Sequence, residues 1–102
     1  MSNPNESSAN KSKNITTNGL TSISGKLVLI AIVINTKGVS SNTAKIYDDV
    51  NGEETPEKLK ATIDTTANVQ RLDYGIPMFE GINIRTATGT APDITVIYAE
   101  TP

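Results

Sequence analysis

The densest run of groups able to do chemistry in this 102-residue chain is Asp48-Asp49-Val50-Asn51-Gly52-Glu53-Glu54. Oxygen ligands around a glycine turn suit a hard cation such as Ca2+. The spacing departs from an EF-hand loop. Tyr47 stands five residues before Gly52, where an acid is needed, and Lys58 stands six after it, where a Glu is needed. The run therefore reads as a solvated acidic turn with Asn51-Gly52 at its tip, and no metal ligand is assigned. Further carboxylates, Asp64, Asp73, Glu80 and Asp93, fall near the ends of separate apolar segments. Glycoside hydrolysis needs two acids about 5 to 10 Å apart in a cleft. No aromatic platform lines up with these, since the aromatics are Tyr47, Tyr74, Tyr98 and Phe79. They read as turn and edge acids.

The chain contains neither His nor Cys. That removes the commonest general acid/base, the commonest metal ligand and the thiolate nucleophile. No Ser or Thr stands beside a substitute base, and Thr86-Ala87-Thr88-Gly89-Thr90 lacks the strand-to-helix setting of a phosphate loop. The expectation is a protein that is not an enzyme, with no catalytic residue and no cofactor. A net charge of −2 offers no basic patch for nucleic acid. The longest apolar run, Leu27 to Ile34, falls well short of the roughly 20 residues of a membrane-spanning helix. Residues 1–13 hold no apolar stretch of the secretory-signal kind.

Thr and Ile are the most frequent residues and Val adds to them, and such β-branched side chains suit a pleated surface. Residues 1–24 are mostly Ser, Thr and Asn and read as a polar N-terminal arm, with a short first strand near Ile15 to Thr17 before Asn18-Gly19. Residues 25–102 read as the folded domain. Strands are expected at Lys26–Asn35, Thr43–Asp48, Lys58–Asp64, Val69–Tyr74, Glu80–Thr86 and Asp93–Ala99, separated by Gly, Pro and Asn signals. Gly75-Ile76-Pro77 is expected to break the fourth of these, and Pro56 could open a short helical turn. The expected fold class is all-β: an antiparallel β-sandwich, jelly-roll-like, of about seven or eight strands.

Within Lys26–Asn35 strict alternation places Leu27, Leu29, Ala31 and Val33 on one face and Val28, Ile30, Ile32 and Ile34 on the other. A strand apolar on both faces needs cover on both, from the arm or from another chain. The candidate interface is therefore Ile15, Leu20 and Ile23 of the arm, with Val28, Ile30, Ile32 and Ile34. Tyr47, Tyr74 and Tyr98 join it because Tyr offers an apolar body with a polar tip.

Several stretches carry a family resemblance. They are Ile32-Val33-Ile34-Asn35 running through Thr36-Lys37-Gly38; Ala44-Lys45-Ile46-Tyr47-Asp48; Ala61-Thr62-Ile63-Asp64; Phe79 to Ile84; and Thr88 to Val96 with Tyr98. In this order, from about Gly25 to Glu100, they resemble small β-sandwich structural proteins encoded in tailed-phage virion gene clusters. The resemblance implies a non-enzymatic virion component: a capsid decoration, head-fibre, fibre-base or connector-associated protein. It implies partners among copies of the chain and other virion proteins such as the major capsid protein, and it supplies no catalytic residues. The alternative is a carbohydrate- or host-surface-binding module, Ca2+-assisted through Asp48 to Glu54.

Overall fold

The computed structural model describes residues 10–101. Eight strands follow one another: β1 (Lys11–Ile15), β2 (Gly19–Ser24), β3 (Leu27–Thr36), β4 (Thr43–Asp48), β5 (Leu59–Asp64), β6 (Arg71–Met78), β7 (Gly81–Ala87) and β8 (Asp93–Glu100). They form two antiparallel four-stranded sheets, ordered β1-β8-β3-β6 and β2-β7-β4-β5. Strand β1 pairs with β8, β2 with β7, β3 with β6, and β4 with β5. The chain is thus one long hairpin, doubled back at the acidic loop between β4 and β5 and rolled so that successive pairs alternate between sheets. That is a jelly roll, within the expected sandwich class. Between the sheets lies an Ile-rich core that includes Leu29, Ile32, Ile46, Ile82, Ile84 and Ile94. Burying each such side chain contributes about 1.5–3 kcal/mol.

Strand β3 departs from the strict alternation expected of it. Its register against both β6 and β8 shifts between Leu29 and Ala31, a β-bulge. One extra residue there moves the period by one. Leu27 and Leu29 before the bulge, and Ile32 and Ile34 after it, all face the core. Val28, Ile30 and Val33 stay outside the core cluster, part-exposed on the outer face, and Ala31 is fully buried at the bulge itself. Ile32 and Ile34, expected beside Val28 and Ile30, are on the opposite side.

The division into an arm of 1–24 and a domain of 25–102 is also corrected. Residues 11–24 supply β1 and β2, the edge strands of the two sheets. Their polar composition fits an edge, where one face alone is buried: Ile15 enters the core, Ile23 packs against it, and the intervening side chains meet solvent. What is left of the arm, residues 1–9, lies outside the described residues. Strand β6 runs through Gly75-Ile76-Pro77 to Met78 rather than ending at Tyr74. Because β6 is an edge strand, the missing N–H of Pro77 costs no ladder bond on its free side. Pro56 does open a helical turn, a single 3-10 turn over Pro56–Lys58.

One end of the roll is tied by Asn42, which is fully buried. Its Nδ2 donates to Asn18 Oδ1 and to the Thr88 carbonyl, each at 2.8 Å, while its Oδ1 accepts from Thr65 Oγ1 at 2.7 Å. Four connections therefore meet on one side chain: β1–β2, β3–β4, β5–β6 and β7–β8. Gly38 is required beside it, because a Cβ there would strike the Thr65 hydroxyl and come within 2.8 Å of Asn42 Cβ. Asn42→Ala removes all three of these hydrogen bonds from a fully buried position and is expected to cost about 2–3 kcal/mol. Urea unfolding would read this as a lower midpoint at unchanged slope.

Candidate functional site

The opposite end gathers the acidic loop, the β6–β7 turn that crosses between the sheets and the β2–β3 turn. Asp48 closes β4 and is mostly buried. Its carboxylate accepts the backbone N–H groups of Phe79 at 3.0 Å, Glu80 at 2.8 Å and Gly81 at 3.3 Å. Glu80 in turn accepts the Gly25 N–H through its carbonyl at 3.1 Å. Gly81 cannot carry a side chain, since a Cβ would lie 2.5 Å from the Ile23 carbonyl oxygen. Burial pushes the Asp48 carboxyl up, but the three N–H donors outweigh it and hold the group below its ordinary value.

Asp49 is fully buried and turns inward on its own loop. It accepts N–H groups from Asn51 at 2.8 Å, Glu53 at 2.6 Å and Glu54 at 3.4 Å. The Asn51 bond is the strongest cause of a lowered carboxyl; burial opposes it, and the Glu53 and Glu54 N–H groups and Lys58 reinforce it. Glu54 grips Arg85 with two bonds at 2.9 and 2.8 Å, which lowers the carboxyl and raises the guanidinium. Lys58 Nζ lies 2.8 Å from Glu53, 3.4 Å from Glu80 and 3.8 Å from Asp49, and its ammonium is held well above the ordinary lysine value, chiefly by the Glu53 hydrogen bond.

The loop is therefore folded onto the sheet through Asp49, Gly52 and Glu54, while Val50, Asn51 and Glu53 face solvent as expected of an acidic turn. It lies on the outer face of the β2-β7-β4-β5 sheet. Ile46 and Ile84 face the core, so Tyr47, Asn83 and Arg85 face outward by the period of two. Yet Tyr47 and Asn83 are buried. Gly52 sits against Leu20, where a Cβ would come within 2.8 Å of Leu20 Cδ2. Ser22 Oγ donates to Asn83 Oδ1, and Asn83 Nδ2 is a buried atom with no partner. Among the described residues no group of three acidic side chains is arranged to hold a metal ion. The loop's carboxylates already face N–H donors, Lys58 or Arg85, so a cation would have to displace them.

The other carboxylates stay apart. Asp64 accepts from the Thr66 N–H and hydroxyl, Asp73 pairs with Arg71 at 2.7 Å, and Asp93 accepts from Asn14 at 2.7 Å. Of the candidate interface residues, Ile15, Ile32, Ile34 and Tyr47 are buried within the chain itself, so they are not available to a partner. Ile23, Tyr74 and Tyr98 are part-buried against the core, and Leu20 is exposed but flanks the acidic loop. The tyrosines form no common patch: Tyr47 is under the loop of one sheet, and β3 separates Tyr74 from Tyr98 in the other.

Val28 and Ile30 remain as surface. They lie on the outer face of the β1-β8-β3-β6 sheet, part-exposed, with Val33 on β3 and Ile97 and Ala99 on β8. Polar side chains surround this strip: Asn14, Asn35 and Thr95 at one end, Arg71 and Asp73 along the β6 edge. The residue that composition did not single out is Phe79, which is 70 % exposed in the turn between β6 and β7. Its place in Phe79-Glu80-Gly81, next to a turn glycine, was the available signal. Compared with known proteins, the chain matches no family model, no curated protein and no solved structure.

Asp48, Asp49, Glu54 and Asp64 all have lowered folded-state values. The unfolded chain therefore binds protons first as pH falls, from about 4 downward. Their stabilisation is complete above that range and is lost as pH drops through the folded values. Unfolding midpoints should be flat from neutral pH to about 5 and then decline, with a shallower decline in Asp48→Asn. Asp48→Ala, which frees three N–H groups, is expected to cost about 2 kcal/mol at neutral pH.

Proposed function

We propose that this protein is a non-enzymatic structural subunit of a phage virion, of the capsid-decoration, head-fibre or connector-associated kind. In this reading it associates with copies of itself and docks on other virion proteins such as the major capsid protein. The observation that carries the reading is the asymmetry of the two outer sheet faces. One is covered by the chain's own acidic loop, with Glu54 clamped to Arg85. The other presents Val28, Ile30, Val33, Ile97 and Ala99 with a polar rim. An apolar centre inside a polar rim is the anatomy of a protein interface. The spent carboxylates fit the same reading, because the acidic loop serves the fold and leaves no free pair for hydrolysis. Jelly rolls build viral capsid and lectin domains alike, so the fold is compatible with this role without selecting it.

Sedimentation of the purified chain tests the assembly step. A self-associating wild type is expected, with Ile30→Lys shifted toward monomer at an unchanged far-ultraviolet spectrum. A wild type that stays monomeric at every concentration and is missing from purified particles would overturn the proposal.

A further inference from the structure

We infer that Phe79 of one copy inserts into the gap between β5 and β6 of the next, joining copies head to tail. This rests on the self-association proposed above but uses a different surface from the sheet face. Phe79 is the most exposed of the chain's large apolar side chains among the described residues. Its backbone is also held in place. Asp48 takes its N–H and those of the next two residues, and Gly25 holds the Glu80 carbonyl. An aromatic on a fixed turn loses little backbone freedom on binding, which is the property of an interface anchor.

The matching hole lies where the two sheets gape at their β5 and β6 edges. It has a volume of about 140 Å3 and is lined by Ile63, Ala67, Val69, Leu72 and Tyr74, with Thr62 and Asp64 at its side. An apolar cavity of about 150 Å3 accepts benzene, so a phenyl ring is of the right size. Tyr74 provides an aromatic partner within it. The larger cavity nearby, about 320 Å3, is lined mainly by Asn35, Lys37, Asn68 and Gln70 and suits an apolar ring poorly.

A chain cannot fill its own hole. Phe79 follows the far end of β6, and Tyr74 lies five residues back, about 16 Å along an extended strand. Knob and hole are different surfaces, so their contact is heterologous: it closes a ring or continues as a filament, and it is not a two-fold dimer.

Two variants test this in sedimentation velocity: Phe79→Ala removes the knob, and Val69→Trp blocks the hole from an exposed position. Each is expected to weaken wild-type association by about thirtyfold, as loss of a central anchor does. An equimolar mixture of the two should recover one contact, giving a 1:1 pair of the Val69→Trp knob with the Phe79→Ala hole. Association of Phe79→Ala equal to wild type, or a mixture no more associated than its components, overturns the inference. If the wild type associates and only Ile30→Lys disrupts it, the sheet-face reading stands and this one falls. If the wild type is monomeric throughout, this inference falls with the self-association it rests on, and the presence or absence of the chain in purified particles then decides the virion reading.

Discussion

Strand β3 carries more apolar side chains than one face of a sheet can place in a core, and the bulge at Leu29–Ala31 resolves the conflict. With strict alternation, either Leu27 and Leu29 or Ile32 and Ile34 would face away from the second sheet. The added residue turns both pairs inward. β3 is flanked by β6 and β8, so both neighbours register against the bulge and the whole β1-β8-β3-β6 sheet takes its alignment from it. The cost of this arrangement is Val28, Ile30 and Val33 on the outside, where water meets them.

A rolled hairpin also sends most of its connections across the gap between sheets. The backbone groups of those connections fall outside the ladders and need partners. This chain supplies them with a few buried polar side chains. Asn42 collects four connections at one end; Asp48 and Asp49, adjacent in sequence, serve two loops at the other, one facing the β6–β7 turn and the other its own loop. Charge-assisted bonds of this kind are stronger than neutral ones, which suits a carboxylate asked to hold three N–H groups at once.

The same economy shapes the surface. Acidic groups that in another setting could bind a cation or share a proton are occupied by backbone donors, Lys58 and Arg85. Those carboxylates hold the loops at one end of the roll in place. What the surface presents is apolar: a strip on one sheet and a single aromatic at a clamped turn. Function on a jelly roll lives in such grafted features and not in the roll itself.

The amino-acid sequence by itself determined the class of fold. Its β-branched segments, their period of two and the glycine and proline signals between them placed six of the eight strands close to their positions, because those signals are local. In the polar leader the sequence suggested only a short strand near Ile15 to Thr17, where β1 in fact runs over Lys11–Ile15, and β2 left no signal, since an edge strand buries too few side chains to leave an apolar pattern. Tertiary structure alone decided which face of β3 is the core, because a bulge depends on what lies across the ladder. It alone decided that Asp48 is a buried clamp, because its partners at Phe79, Glu80 and Gly81 lie some thirty residues away, and that Asp49 is buried against the N–H groups of its own loop. The acidic run looked like a solvated turn for that reason: composition shows a carboxylate's charge, and only the fold shows which donors surround it.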